Sequence, residues 1–148
     1  MSHSYPWAHI VHLFCAIIFA GGVFFEMLVL SALHGQTVDK AARKQAEAAV
    51  ARRARKVMPW VVALLFISGL LMAHRYAALL TQPLASAFGL QLSLKIMLAA
   101  SVLGHFVVAV TKMRRGTLTA AWSRYIHMAV LVQIILIVLL AKTMFYLA

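Results

Sequence analysis

Four long apolar runs, joined by three more polar connections, leave this chain few ways to fold. A helix that crosses a bilayer needs about 20 largely apolar residues. Residues 7–33, 57–80, 88–111 and 120–147 each supply one. Ionisable groups interrupt the runs rarely: His9, His12 and Glu26 in the first, and His74 and Arg75 near the end of the second. The third holds Lys95 and His105, and the fourth Arg124 and His127 near its start. Apolar residues make up 64% of the 148, against about 45–50% in soluble domains. A soluble domain of this length could not bury that much. The pattern excludes a soluble enzyme, a disordered tail and a disulfide scaffold, the last also because Cys15 is the single cysteine.

The basic residues give the runs a direction. Lys40, Arg43, Lys44, Arg52, Arg53, Arg55 and Lys56 fill the first connection, Lys112, Arg114 and Arg115 the third, and Arg124 lies just beyond it. Those are eleven of the 14 lysines and arginines, while the connection around Thr81 to Phe88 has none. By the positive-inside rule the first and third connections are cytoplasmic and both termini periplasmic. Confined to loops between spans, a net charge of +11 speaks for anionic headgroups and gives no reason to expect nucleic acid. Trp7, Trp60 and Trp122 lie near span ends, as an aromatic belt would place them. The N-terminal residues lack a positive n-region and cleavage signal, so the first run reads as a retained span. Residues 38–57 are rich in helix formers, so the second helix should begin before the membrane, after a basic stretch 34–56. Gln82-Pro83 and Arg115-Gly116-Thr117 mark turns. The expectation is an all-α, single-domain (1–148), four-helix up-and-down bundle in the bacterial inner membrane.

Ionisable groups inside spans are costly and mark function. Counted from the run ends, His12 and His74 fall about 8–9 Å below the outer surface, and His105 and His127 about 10 Å from the inner one. Two levels with two imidazoles each are what one or two stacked b-type haems would need. His12 with His74 would ligate an outer haem, and His105 with His127 an inner one. Gly21, Gly22 and Gly104 would let a flat macrocycle approach the backbone, and basic residues near both faces could pair with its propionates. Glu26, the one acid within any run, reads either as a partner for the first-loop cations or as a proton relay or propionate partner. Lys95, one turn after Gln91, reads either as a snorkelling cation or as a charge holding an anionic group beside His12. His9 is a shallower substitute for His12, and His34 closes the first helix. Copper is the weaker metal alternative: the eight methionines are scattered, and Met72, Met128 and a Met1-Ser2-His3 amino-terminal motif are its slender support.

His12-Leu13, continuing to Phe19-Ala20-Gly21-Gly22-Val23-Phe24-Phe25, resembles the first helix of the CopD copper-resistance and HemJ protoporphyrinogen-oxidase-like membrane proteins. Leu94-Lys95, with His105 ten residues after the lysine, resembles their third helix. The likeness covers about half of the chain. It implies functional positions at His12 and Lys95, haem binding as in the HemJ-like branch, and activities ranging from protoporphyrinogen IX oxidation to copper transport or resistance. His74 and His127 fall outside these motifs, which favours a haem-bearing relative over the oxidase. The resulting expectation is a b-type haem protein in electron transfer or haem-linked redox chemistry. Its partners would be a membrane or periplasmic redox protein or a quinone, with a homodimer as a candidate assembly. As an enzyme it would be a haem-dependent membrane oxidoreductase with Lys95 and Glu26 in catalytic roles.

Overall fold

The computed structural model describes residues 4–35, 38–143 and 146. The Met1-Ser2-His3 motif lies outside them. No strand occurs among the described residues, and four helical segments are long and apolar enough to cross a membrane: Pro6–His34, Lys40–Thr81, Ala87–Arg114 and Ala120–Thr143. The chain is a multi-pass helical membrane protein. It divides into two compact units, Met1–His74 and Arg75–Ala148.

In the first unit α1 (Ser4–Phe24) does not end cleanly. It widens into a π turn over Phe25–Val29 and then tightens into a 3-10 turn over Leu30–His34. The segment Phe-Glu-Met-Leu-Val contains neither glycine nor proline, so nothing local in its sequence announces the extra residue. Asp39 caps α2 (Lys40–Ala73), its carboxylate accepting from the Ala41 and Ala42 amides at 3.1 and 3.4 Å. At 34 residues, α2 is about 50 Å long, well beyond the ~30 Å hydrocarbon layer. Its basic first half therefore projects past the apolar second half as one continuous rod, with Pro59 inside it.

Cys15, Phe19 and Val23 recur every four residues and form the buried seam of α1 against Val61, Val62 and Ser68 of α2. Phe14 and Leu70, away from that seam, are 63% and 69% exposed. Lipid makes such exposure ordinary, since apolar side chains lose nothing by facing acyl chains.

The second unit opens with the short helix α3 (Ala77–Thr81). The second apolar run is thus not one α-helix to residue 80: α2 stops at Ala73, and a 3-10 turn, His74–Tyr76, precedes α3. Gln82 leaves the helical region and ends α3, as a residue before proline tends to do, and Pro83–Ala85 forms a second 3-10 turn. Ser86 then caps α4 (Ala87–Arg114), accepting from the Gly89 amide at 3.0 Å. Gly116, at φ +68°, reverses the chain in the left-handed region that glycine occupies without strain. Thr119 accepts from the Trp122 amide at 3.2 Å and caps α5 (Ala120–Thr143).

Helices α4 and α5 pack through Leu92 and Val102 on one side and Ile126, Val130 and Ile134 on the other. Three polar pairs fix their register. Thr143 donates to Gln91 at 3.4 Å, Gln133 donates to Ser101 at 3.0 Å, and the Lys112 ammonium lies 4.6 Å from the Trp122 ring centre. All three fit a single antiparallel alignment.

Candidate functional site: the histidines within the spans

His12 is seated in a notch on α2. Its Nδ1–H donates to the Leu65 carbonyl at 3.0 Å, with the Ser68 hydroxyl a second acceptor at 3.3 Å. A carbonyl can only accept, so the proton is on Nδ1 and the neutral ring's lone pair is on Nε2. Ser68 is engaged in turn with the Leu64 and Leu65 carbonyls at 2.6 and 3.0 Å. Gly69 makes the seat available: a Cβ there would stand 3.2 Å from the ring's Cε1. Leu65, Ser68 and Gly69 carried no functional signal in the sequence. A small-residue step one helical turn from a carbonyl was the available clue.

His74 does not share the His12 level. Gly22 meets Met58, and His12 meets Ser68 and Gly69. This antiparallel register sets His74 opposite Pro6, about six residues or 9 Å from His12 along the helix. Counting inward from both run ends assumed that the two helices start in one plane, and they do not. His74 is also exposed, at the point where α2 gives way to a 3-10 turn. The two side chains expected as the outer axial ligands thus lie at different levels.

Gly21 and Gly22 divide. A Cβ at Gly22 would come within 2.9 Å of the Met58 methyl group, so its space is used for helix packing rather than for a macrocycle. A Cβ at Gly21 would meet nothing within 4 Å. Glu26 is exposed within the π turn, and the same register brings it level with Ala54 and Arg55. His9 is exposed one turn before His12, while the His34 ring nitrogen lies 3.4 Å from the Glu47 carboxylate.

In the second unit His105 and His127 repeat the ring arrangement of His12 within their own helices. His105 donates from Nδ1 to the Ser101 carbonyl at 2.8 Å, and His127 to the Ser123 carbonyl at 2.7 Å. The Ser123 hydroxyl lies 3.4 Å from the same His127 nitrogen. The α4–α5 register puts the two histidines within about two residues, or 3 Å, of one level. His105 lies toward Tyr125, with ring centres 6.3 Å apart, and His127 is two residues further on, roughly 200° around α5. Depth was legible by counting; azimuth was not. The backbone beside His105 is open, since a Cβ at Gly104 would meet nothing within 4 Å. Lys95 is half-buried in the first half of α4, one turn from Gln91.

Among the described residues no three of His, Cys, Asp and Glu come together as a metal cage. The chemistry on offer is therefore that of separate, pre-oriented imidazoles. Comparison with known protein families, curated proteins and solved structures returns no match.

Proposed function

We propose that this chain is a membrane b-type haem protein whose axial ligands come from His12, His105 and His127, serving electron transfer or haem-linked redox chemistry. One observation carries the reading: each of the three donates Nδ1–H to a main-chain carbonyl and so keeps its lone pair on Nε2. Ligating histidines are characteristically oriented this way, because the second hydrogen bond fixes the tautomer and raises ligand basicity. An axial haem site needs only one or two imidazoles, whereas a copper cage built from the protein's own side chains needs more. The chain's own contribution is to hold these rings at fixed rotation and to exclude water with apolar neighbours. A bound haem would supply a one-electron iron couple. We place the basic connections in the cytoplasm and both termini in the periplasm of a bacterial inner membrane, in an up-and-down bundle.

The test is a reduced-minus-oxidised visible spectrum of the purified full chain from haem-supplied cells, with pyridine haemochrome quantification. Stoichiometric b-type haem is expected, lost in at least one of His12→Ala, His105→Ala and His127→Ala and unchanged in His74→Ala. Absence of haem from the wild-type protein, or full haem in a triple alanine variant, would overturn the reading. Copper bound in its place would favour the CopD-like alternative. Oxidation of protoporphyrinogen that is lost in Lys95→Ala would favour the HemJ-like one.

A further inference from the structure

The inner end of α4 carries a groove that the histidine reading leaves unused. It encloses about 280 Å³ and is lined by Val107, Val108, Thr111, Lys112, Arg115 and Thr117. Its composition changes along its length. Val107 and Val108 form an apolar floor, 53% and 42% exposed, and the hydroxyls and cations gather at the end near the turn. Gly104, Val108, Thr111 and Arg115 follow one another at helical spacing along a single face. The floor therefore extends toward the membrane interior onto the bare backbone of Gly104, where a Cβ would meet nothing within 4 Å. From Gly104 to Arg115 the strip is about 16 Å long.

The polar end is held in shape. Lys112 is drawn over the Trp122 ring at 4.6 Å, which fixes its ammonium at the rim of the groove and leaves its N–H donors for an anion. The left-handed Gly116 turns the chain so that the Thr117 amide donates to the Lys112 carbonyl at 2.9 Å, and the Thr117 side chain stays beside the lysine. The carbonyl end of α4 repels anions, so any attraction here comes from Lys112 and Arg115 themselves.

We propose that this groove binds one anionic phospholipid of the leaflet next to the basic loops. Its phosphate lies between Lys112 and Arg115 with the Thr111 hydroxyl as a further partner, and one acyl chain lies along Val107 and Val108 to Gly104. A free phosphate would use only the charged end. The exposed apolar floor, continuous with it, selects the lipid.

The test uses delipidated full-length protein in detergent, titrated with phosphatidylglycerol or with phosphatidylcholine of the same chains, bound lipid being counted by native mass spectrometry. One phosphatidylglycerol should bind in preference to phosphatidylcholine. Lys112→Gln and Arg115→Gln should each weaken it about fivefold. Gly104→Leu, which blocks the floor without touching charge, should weaken both lipids. Equal weakening by Arg52→Gln/Arg53→Gln, in the other basic cluster, would overturn the proposal as diffuse attraction. Full displacement by inorganic phosphate, with Gly104→Leu inert, would overturn it in favour of a phosphate site.

Discussion

The Ser101–Gln133 pair allows a sharp energetic test of how α4 and α5 are held together. The Gln133 amide donates to the Ser101 hydroxyl at 3.0 Å, yet its Oε1 is buried without a hydrogen-bond partner. One end of the amide stabilises the interface and the other costs it. Removing Ser101 as Ser101→Ala deletes the acceptor and leaves both ends of the amide unmet, so the loss should be about 1–2 kcal/mol. That is above the ~0.6 kcal/mol average for interhelical bonds in membranes and within the usual cost of a stranded polar group. Gln133→Leu loses the same bond but removes both buried polar atoms at nearly constant volume, and the Ser101 hydroxyl can turn to a carbonyl of its own helix. This variant should be within about 0.5 kcal/mol of wild type or more stable. The double variant should match Gln133→Leu, giving a coupling of about 1–2 kcal/mol. Reversible unfolding in bicelles, read by steric trapping across the full cycle, measures all four corners. The reasoning fails if Gln133→Leu alone costs about 2 kcal/mol or more, or if the two changes add to within about 0.5 kcal/mol.

Three further outcomes follow from the geometry. Gly69→Val should destabilise the α1–α2 contact by about 1–3 kcal/mol through overpacking, because its side chain would occupy the space of the His12 ring; in a His12→Ala background most of that cost should vanish, as the same unfolding assay would show. Asp39→Ala removes the α2 cap and should cost about 1 kcal/mol, seen as roughly fivefold faster amide exchange at Ala41 and Ala42 with no change at Val61 and Val62. Single cysteines in place of Ala48 and Ala85, on a Cys15→Ser background, should react with an impermeant maleimide only at position 85 in intact cells, and reaction at position 48 would reverse the assigned topology.

Much of this architecture is legible in the sequence because hydropathy is a one-dimensional property. Twenty apolar residues announce a span whatever packs against it, and Gln82-Pro83 and Gly116 act through their own backbone preferences. The histidine environments are less legible in proportion to how far their partners lie along the chain. His105 and His127 bond one turn back in their own helices, so composition alone brings those partners near. His12 bonds to Leu65, and that contact depends on the relative slide of α1 and α2, which no local pattern encodes. The same slide separates His74 from His12. It is set by where Gly22 admits Met58 and Gly69 admits the imidazole, both properties of a packed pair.

The π turn at Phe25–Val29 also bears on how this chain can vary in length. A π turn carries one residue more than the α-helix around it requires, so α1 holds a spare position inside what hydropathy presents as an unbroken span. A one-residue deletion between Phe25 and Val29 could be absorbed by relaxing to ordinary helix, with His12, Cys15, Phe19 and Val23 undisturbed. The segment beyond would then keep its orientation, and with it the reach of His34 to Glu47. A deletion anywhere from His12 to Val23 has no such reserve and would turn the buried seam itself. Relatives of this chain that differ by a residue in the first span should therefore carry the difference at this turn.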